Sequence, residues 1–496
     1  MLNRSIKNLV LSLIFLCMLA LSLFSCTKNK TEIKNVTETI NPLNTTITED
    51  GSVIASIGTK GDSKLFEYNI LDLEETYDDV AALTIDFDKG VFPEGSEELI
   101  RDDGENVMIK SGGIYRLTGT LNNKRIWVEK GIGERVQLVL DGLKINTDKY
   151  SAIRVVDDVI AQIFLASGSE NEINLSVEGN PKQDAITPTG IFSRNDLTFN
   201  GKGKLTINCN VNSASAIESD DKVIFIRGNY SFNSKGDSIK AKNEVVFREG
   251  NFAINAGDDA IKVKNDNGGR VYLENANLNI KSGDKGIVSD DQVLILGGNA
   301  YIDSIGESIG GKTIDIYGGN ISLKSGDDAI NSTDGKQDKK SNQLGVYTRI
   351  AGGTLDIDAG MDGIDSNGDL YLEGGHIFIN GANNDNERII DYNGVVSCGK
   401  GLTFCGVGPA SKMQDLGDNA MENYLVIYFK EQMKANDMIR VIDEDENQVL
   451  VFSPIKNYMA ALIALEDLKT GKTYKITAGD KEFKQTIVEG RNEIRE

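Results

Sequence analysis

Histidine and tryptophan each occur once in 496 residues, and proline only six times. A single histidine excludes His–His and multi-His metal sites and leaves little room for His-dependent catalysis. Any metal would therefore be held by oxygen ligands. Positive charge is also short: 53 Lys and Arg stand against 75 Asp and Glu, a formal charge of −22. A chain of that sign is repelled by a phosphate backbone, so no nucleic-acid partner is expected. Beyond residue 25 no apolar run is long enough to cross a bilayer, and no segment of useful length has helical apolar spacing. Glycine, in contrast, is plentiful at 52 residues, and 40% of the chain is hydrophobic. Many glycines with few prolines suit a turn-rich β protein with a real core.

The first 25 residues read as a secretory signal peptide: Arg4 and Lys7 precede an almost wholly apolar stretch from Leu9 to Phe24. Leu23-Phe24-Ser25-Cys26 resembles a bacterial lipobox, which makes Cys26 a lipidated N-terminus. An exported lipoprotein, held at the cell surface or outer membrane by its lipid alone, is the expected state. Residues 26–80 carry this cysteine and a polar stretch read as a flexible tether, most clearly over 27–60. Three further cysteines follow, Cys209, Cys398 and Cys405, of which the last two are near enough in sequence to pair across a loop.

From about 105 to 395 a pattern recurs every 22 to 25 residues or so. Glycines 228, 250, 298, 319, 353 and 375 stand before short alternating apolar runs, and each run leads to Gly, one or two acids, a small residue and Ile. A fixed period of this size means a solenoid. The runs are short and rich in Val, Ile, Tyr and Phe, so they are strands. Neither the L-x-x-L-x-L pattern and Asn ladder of a leucine-rich repeat nor a nine-residue calcium-binding roll is apparent. The expectation is an all-β chain: a parallel β-helix of ten to twelve coils over 81–395, and a small β-rich lobe over 396–496 that covers its C-terminal end. Successive coils would stack at about 4.8 Å.

Stacked coils place equivalent residues in columns. Aligned on Ile191, Ile217, Ile239, Ile261, Ile287, Ile309, Ile330 and Ile364, the position two before reads Asp237, Asp259, Lys285, Glu307, Asp328 and Asp362. Carboxylates about 5 Å apart repel by roughly 3 kcal/mol at an effective dielectric near 20. A hard cation would offset that, and calcium accepts six to eight oxygens in the loose geometry of a turn. Asp258, Asp259, Asp284, Asp327 and Asp328 are the expected calcium ligands, with Lys285 as a built-in cation. Just after the aligned Ile, Lys240, Lys242, Lys262 and Lys264 point outward from two adjacent coils. They form the candidate ligand-binding patch, for a polyanion.

Gly113-Ile-Tyr-Arg-Leu-Thr-Gly119, Val136-Gln-Leu-Val-Leu-Asp-Gly142, Ser193-Arg-Asn-Asp-Leu-Thr-Phe-Asn-Gly201 and the Gly-Asp-Asp-Ala-Ile turns at 257–261 and 326–330 follow one another along the chain. In that order they resemble a bacterial family of carbohydrate-binding β-helix proteins, similar in structure to pectate lyases. The resemblance spans about 80–485 and includes Leu450-Val-Phe-Ser-Pro454 and Gly471-Lys-Thr-Tyr-Lys475 of the closing lobe. It implies a right-handed helix and binding of calcium, cellulose and polygalacturonate.

The leading expectation is a non-enzymatic, monomeric surface lipoprotein that binds a polysaccharide, either an acidic polyuronate or cellulose, together with calcium. One alternative is a calcium-dependent lyase, whose base would be a lysine of lowered pKa among the same four, with Arg227 and Arg248 next. The other is an adhesive rod without glycan specificity. A single Trp and 7% aromatics argue against a broad stacking platform for crystalline cellulose.

Overall fold

The structure is a computed structural model. It describes residues 66–496 apart from 91, 130–134, 150, 157–158, 177–187, 266–267, 336–340, 383 and 418–422, and before them only the backbone of two strands, Asn44–Ile47 and Ser52–Ser56. The expected leader and Cys26 lie outside the described residues.

The repeat builds a parallel β-solenoid of about 11 turns. One coil shows the plan. Asn251–Ala256 lies on a long face, the acidic turn 257–260 follows, Ile261–Val263 lies on a short face, and Arg270–Leu273 lies on a middle face. Asn277–Ser282 then returns to the long face beside Asn251–Ala256. Alternation decides which side chains go in: along Asn251–Ala256 burial reads exposed, buried, exposed, buried, exposed, buried. The aligned isoleucines pair Cα to Cα from Ile191 through Ile364, and the column runs on to Ile390. These isoleucines are fully or almost fully buried, and each contributes roughly 2–3 kcal/mol of burial. Phe199, Phe225 and Phe247 stack in register in the same core, with ring centroids 4.8 and 5.2 Å apart.

Tight corners require glycine where coils touch. Gly298 has φ +84°, and a Cβ there would sit 2.3 Å from the carbonyl oxygen of Ala276 in the coil before. No larger residue fits that position.

At the C-terminal end the solenoid runs on past 395. Val396–Cys398 and Leu402–Gly408 continue the parallel register as a last coil. The lobe begins after it: Tyr458–Leu465 pairs antiparallel with Leu402–Gly408, so the long face grows directly into the lobe. A four-stranded antiparallel sheet packs over a second core that includes Leu425, Ile463 and Ile476. The long-face strand of the last coil is thereby paired rather than left as an edge. Cys398 lies in the solenoid core and Cys405 in the lobe core, so the two buried thiols face different interiors and do not form the disulfide that their spacing allowed.

The stretch 26–80, read as a tether, is partly structured. Asn44–Ile47, Ser52–Ser56 and Glu67–Asn69 form a three-stranded antiparallel sheet. Residues 66–77 then lie along the middle face. Phe66 and Tyr68 cover Ile224, Val246, Tyr272 and Leu294, and the Tyr68 hydroxyl donates to Glu274 at 2.5 Å. Further along, Asp72 pairs with Arg135 at 3.1 Å, and Tyr77 packs edge-on against Phe164. Apolar residues that point outward from the middle face need this cover, because water would otherwise meet Val246 and Leu294.

Candidate functional site

The acidic turns form a continuous edge between the long and short faces. Each aspartate of the column accepts the backbone N–H of its counterpart in the next coil: Asp237 from Asp259 at 3.3 Å, Asp259 from Lys285 at 3.0 Å, Asp328 from Asp362 at 2.9 Å, and Asp362 from Arg388. Lysines supply further positive charge. Lys262 Nζ reaches Asp259 at 2.7 Å and Asp237 at 3.5 Å, and Lys285 Nζ reaches Glu307 at 2.8 Å. Lys285 therefore stands in the column as the built-in cation expected there.

The five expected calcium ligands separate into two groups. Asp258 and Asp259 meet Asp237, with one oxygen from each residue lying within 4.8 Å of the others. Asp237 completes this trio and was not among the expected ligands, although its column position was visible. Asp284 is exposed one coil further on, and its backbone N–H donates to the Asp258 carbonyl at 3.3 Å. Asp327 and Asp328 belong to a second acidic group with Asp362 and Asp365, three coils away along the isoleucine column. There burial, and then the charges of Asp365, Asp362 and Asp327, push the Asp328 carboxyl up to about 8 against the lowering Asp362 N–H. Burial likewise raises Asp362 to about 6.

The four lysines also divide. Lys240 and Lys262 are register neighbours on the short face. Lys240 pairs with Glu218 at 3.4 Å, and Lys262 with Asp237 and Asp259, so both charges are locally neutralised. Lys242 and Lys264 are exposed, with no ion pair among the described residues. The outward column that holds Lys240 and Lys262 begins with residues not singled out in the sequence. It runs Trp127, Arg154, Phe192, Glu218, Lys240, Lys262, each in register with the next. Arg154 stacks 4.5 Å from the Phe192 ring, and Arg125 4.4 Å from Trp127. The short face thus carries one column of aromatic and basic groups across six coils, interrupted by Glu218 and with Arg154 buried in it.

The long face carries a ladder of asparagines. Asn251 donates to Asn229 at 2.9 Å, Asn277 to Asn251 at 2.9 Å, Asn299 to Asn277 at 2.7 Å and Asn320 to Asn299 at 3.0 Å. A second ladder at the other edge joins Asn122, Asn146, Asn174, Asn208 and Asn233. An Asn directly after Gly228, Gly250, Gly298 and Gly319 was the signal. The leucine-rich repeat remains excluded, but an asparagine ladder is present, on the outside of a β-helix.

The sequence model of a family described as carbohydrate-binding domain-containing protein matches residues 103–310 and 283–404, more than half of the chain. The chain belongs to this family. A carbohydrate-binding domain-containing protein of Acetivibrio thermocellus is 34% identical over 119 residues, which is 24% of this chain. That match spans 42% of the relative's own length. A solved structure, the gadolinium derivative of the polysaccharide lyase-like protein from C. thermocellum, aligns over 64% of this chain and 96% of its own. Its identity to this chain is 22% and the TM-score 0.33.

Proposed function

We propose that the chain is a surface-anchored lipoprotein, monomeric and non-enzymatic, that holds an acidic polysaccharide along its short face with the help of calcium. The observation that carries this reading is the juxtaposition of a cationic–aromatic stripe with a carboxylate trio. Trp127, Arg154, Phe192, Glu218, Lys240 and Lys262 lie in one column, basic and aromatic but for Glu218, and Asp237, Asp258 and Asp259 converge beside its end. A polyuronate carries a carboxylate on every sugar, so it can meet Lys242 and Lys264 directly. It can also meet the aspartate trio through a calcium ion that accepts oxygens from both partners. Aromatic edges along the stripe add contact for sugar rings.

The surroundings of Lys262 favour binding over lyase chemistry. Burial by itself would lower its ammonium pKa, but the hydrogen bond to Asp259 and the charges of Asp237 and Asp259 prevail, and the net shift is upward. A β-elimination base needs the opposite shift.

Binding of polygalacturonate to the full chain, compared in millimolar calcium and in excess EDTA, tests the reading. Calcium should strengthen binding, and changing Lys240, Lys242, Lys262 and Lys264 together to Gln should weaken it. Indifference to both changes would overturn the proposal. Attachment through Cys26 predicts that Cys26→Ser moves the protein from the membrane to the soluble fraction.

A further inference from the structure

The outer surface of the long face has no role in the reading above. A shallow cleft of about 630 Å³ runs across it from Asn229 to Asn320. On a chain with 75 acidic residues, this cleft is lined by one lysine, Lys204, and no carboxylate. Its floor is the central outward column Ser231, Ala253, Asn279, Tyr301 and Ser322, one residue per coil. All but Tyr301 are small or short, and the Tyr301 ring stands 42% exposed.

The asparagine ladder forms the wall. An amide offers two N–H donors and an oxygen with two lone pairs. Each inner rung, Asn251, Asn277 and Asn299, spends one donor on the coil before and one acceptor on the coil after. One donor and one lone pair per rung remain. The ladder bonds hold the amides in a fixed orientation, and rungs recur at about 4.8 Å over five coils, roughly 19 Å in all. A sugar hydroxyl both donates and accepts, so a row of such rungs complements a row of hydroxyls. The Tyr301 ring offers a flat apolar surface to the C–H face of a pyranose.

We infer that this cleft is a second binding site, for an uncharged extended polysaccharide lying along the solenoid axis. Charge decides the ligand class. A polyuronate laid here would bring a carboxylate on every sugar to a wall that supplies one ammonium, at one end. A neutral glycan loses nothing by that lack. The cleft also holds one exposed ring, which fits a single chain rather than a crystalline surface. The inference rests on membership of the carbohydrate-binding family and on this face alone, and is independent of calcium and of the short-face lysines.

The test uses the full chain in affinity electrophoresis against hydroxyethyl cellulose and against polygalacturonate. Tyr301→Ala removes the stacking ring at an exposed position, and Ala253→Arg fills the cleft floor without touching the core. Each should weaken hydroxyethyl cellulose binding by about tenfold and leave polygalacturonate binding unchanged. The quadruple lysine-to-Gln variant should show the reverse pattern. Parent protein that ignores hydroxyethyl cellulose, or variants that bind it as the parent does, would overturn the inference. Equal loss of both ligands in Tyr301→Ala would overturn the claim that the cleft selects uncharged chains. If polygalacturonate binding is absent throughout while the neutral ligand behaves as expected, the short-face reading fails and this one stands.

Discussion

The Asn229–Asn320 ladder and the column from Asp237 to Asp362 lie on either side of the same long-face strands, yet only the first repeats one residue through five coils. The acidic column reads Asp, Asp, Lys, Glu, Asp, Asp. An amide is donor and acceptor at once, so a stack of identical amides satisfies itself. A carboxylate only accepts and repels its copy in the next coil. The acidic column survives by borrowing donors: the backbone N–H of the next turn and the Lys262 and Lys285 ammonium groups. Repetition along a solenoid is therefore cheap for neutral self-complementary side chains and costly for charged ones.

The harshest way to break that contrast is to make the ladder behave like the acidic column. Changing Asn251, Asn277 and Asn299 together to Asp introduces two adjacent carboxylate pairs about 4.8 Å apart. Each pair should cost between about 1 and 3 kcal/mol, depending on how well solvent screens it. Thermal melting at neutral pH should drop by several degrees and recover at acidic pH, where the new groups protonate. A melting temperature equal to the parent's would show that stacked charge is harmless here.

A smaller effect is expected from removing a borrowed donor. Lys262→Met strips the ammonium from Asp237 and Asp259, and should destabilise by about 1–3 kcal/mol, the usual consequence of leaving a partly buried charge unpaired. Calcium should then raise the melting temperature more in the variant than in the parent, because the vacated trio binds it without competition from lysine. A smaller calcium response in the variant would argue that the trio is not a cation site.

The pH dependence is subtler. The folded Asp328 carboxyl stands at about 8 and Asp362 at about 6, both above the usual carboxylate value. The folded state therefore holds more protons than the unfolded one, so this stabilisation is complete below about pH 4 and is lost as pH rises through 6 and then 8. Melting temperatures measured without calcium at pH 5, 7 and 9 should fall along the series. In Asp328→Asn the fall between pH 7 and 9 should flatten, and a parallel curve would refute the assignment.

The smallest expected effect separates the two faces by ionic strength. Raising salt from 50 to 500 mM should weaken polygalacturonate binding severalfold by screening the lysine contacts. Hydroxyethyl cellulose binding, which involves no charge, should hardly change. Equal salt sensitivity would put both ligands on one site.

Much of this molecule was legible because a solenoid turns sequence period directly into spatial column. The isoleucine alignment from Ile191 to Ile364 is the observed Cα register, and the acidic turns and Lys240/Lys262 neighbours follow from the same count. Local spacing is enough when each coil pairs only with the next. What the period could not show were contacts made outside the repeat. The docking of Phe66 and Tyr68 on the middle face joins positions roughly 200 residues apart. The separation of Cys398 from Cys405 depends on which of two cores each strand faces. Whether Lys262 is a free cation or the partner of Asp237 and Asp259 is decided by side-chain reach across coils. The chain's own period determined the coils and their columns. Only the packed structure decided which polar groups in those columns are spent on one another and which remain for a ligand, because that depends on distances of a few ångströms that no sequence spacing encodes.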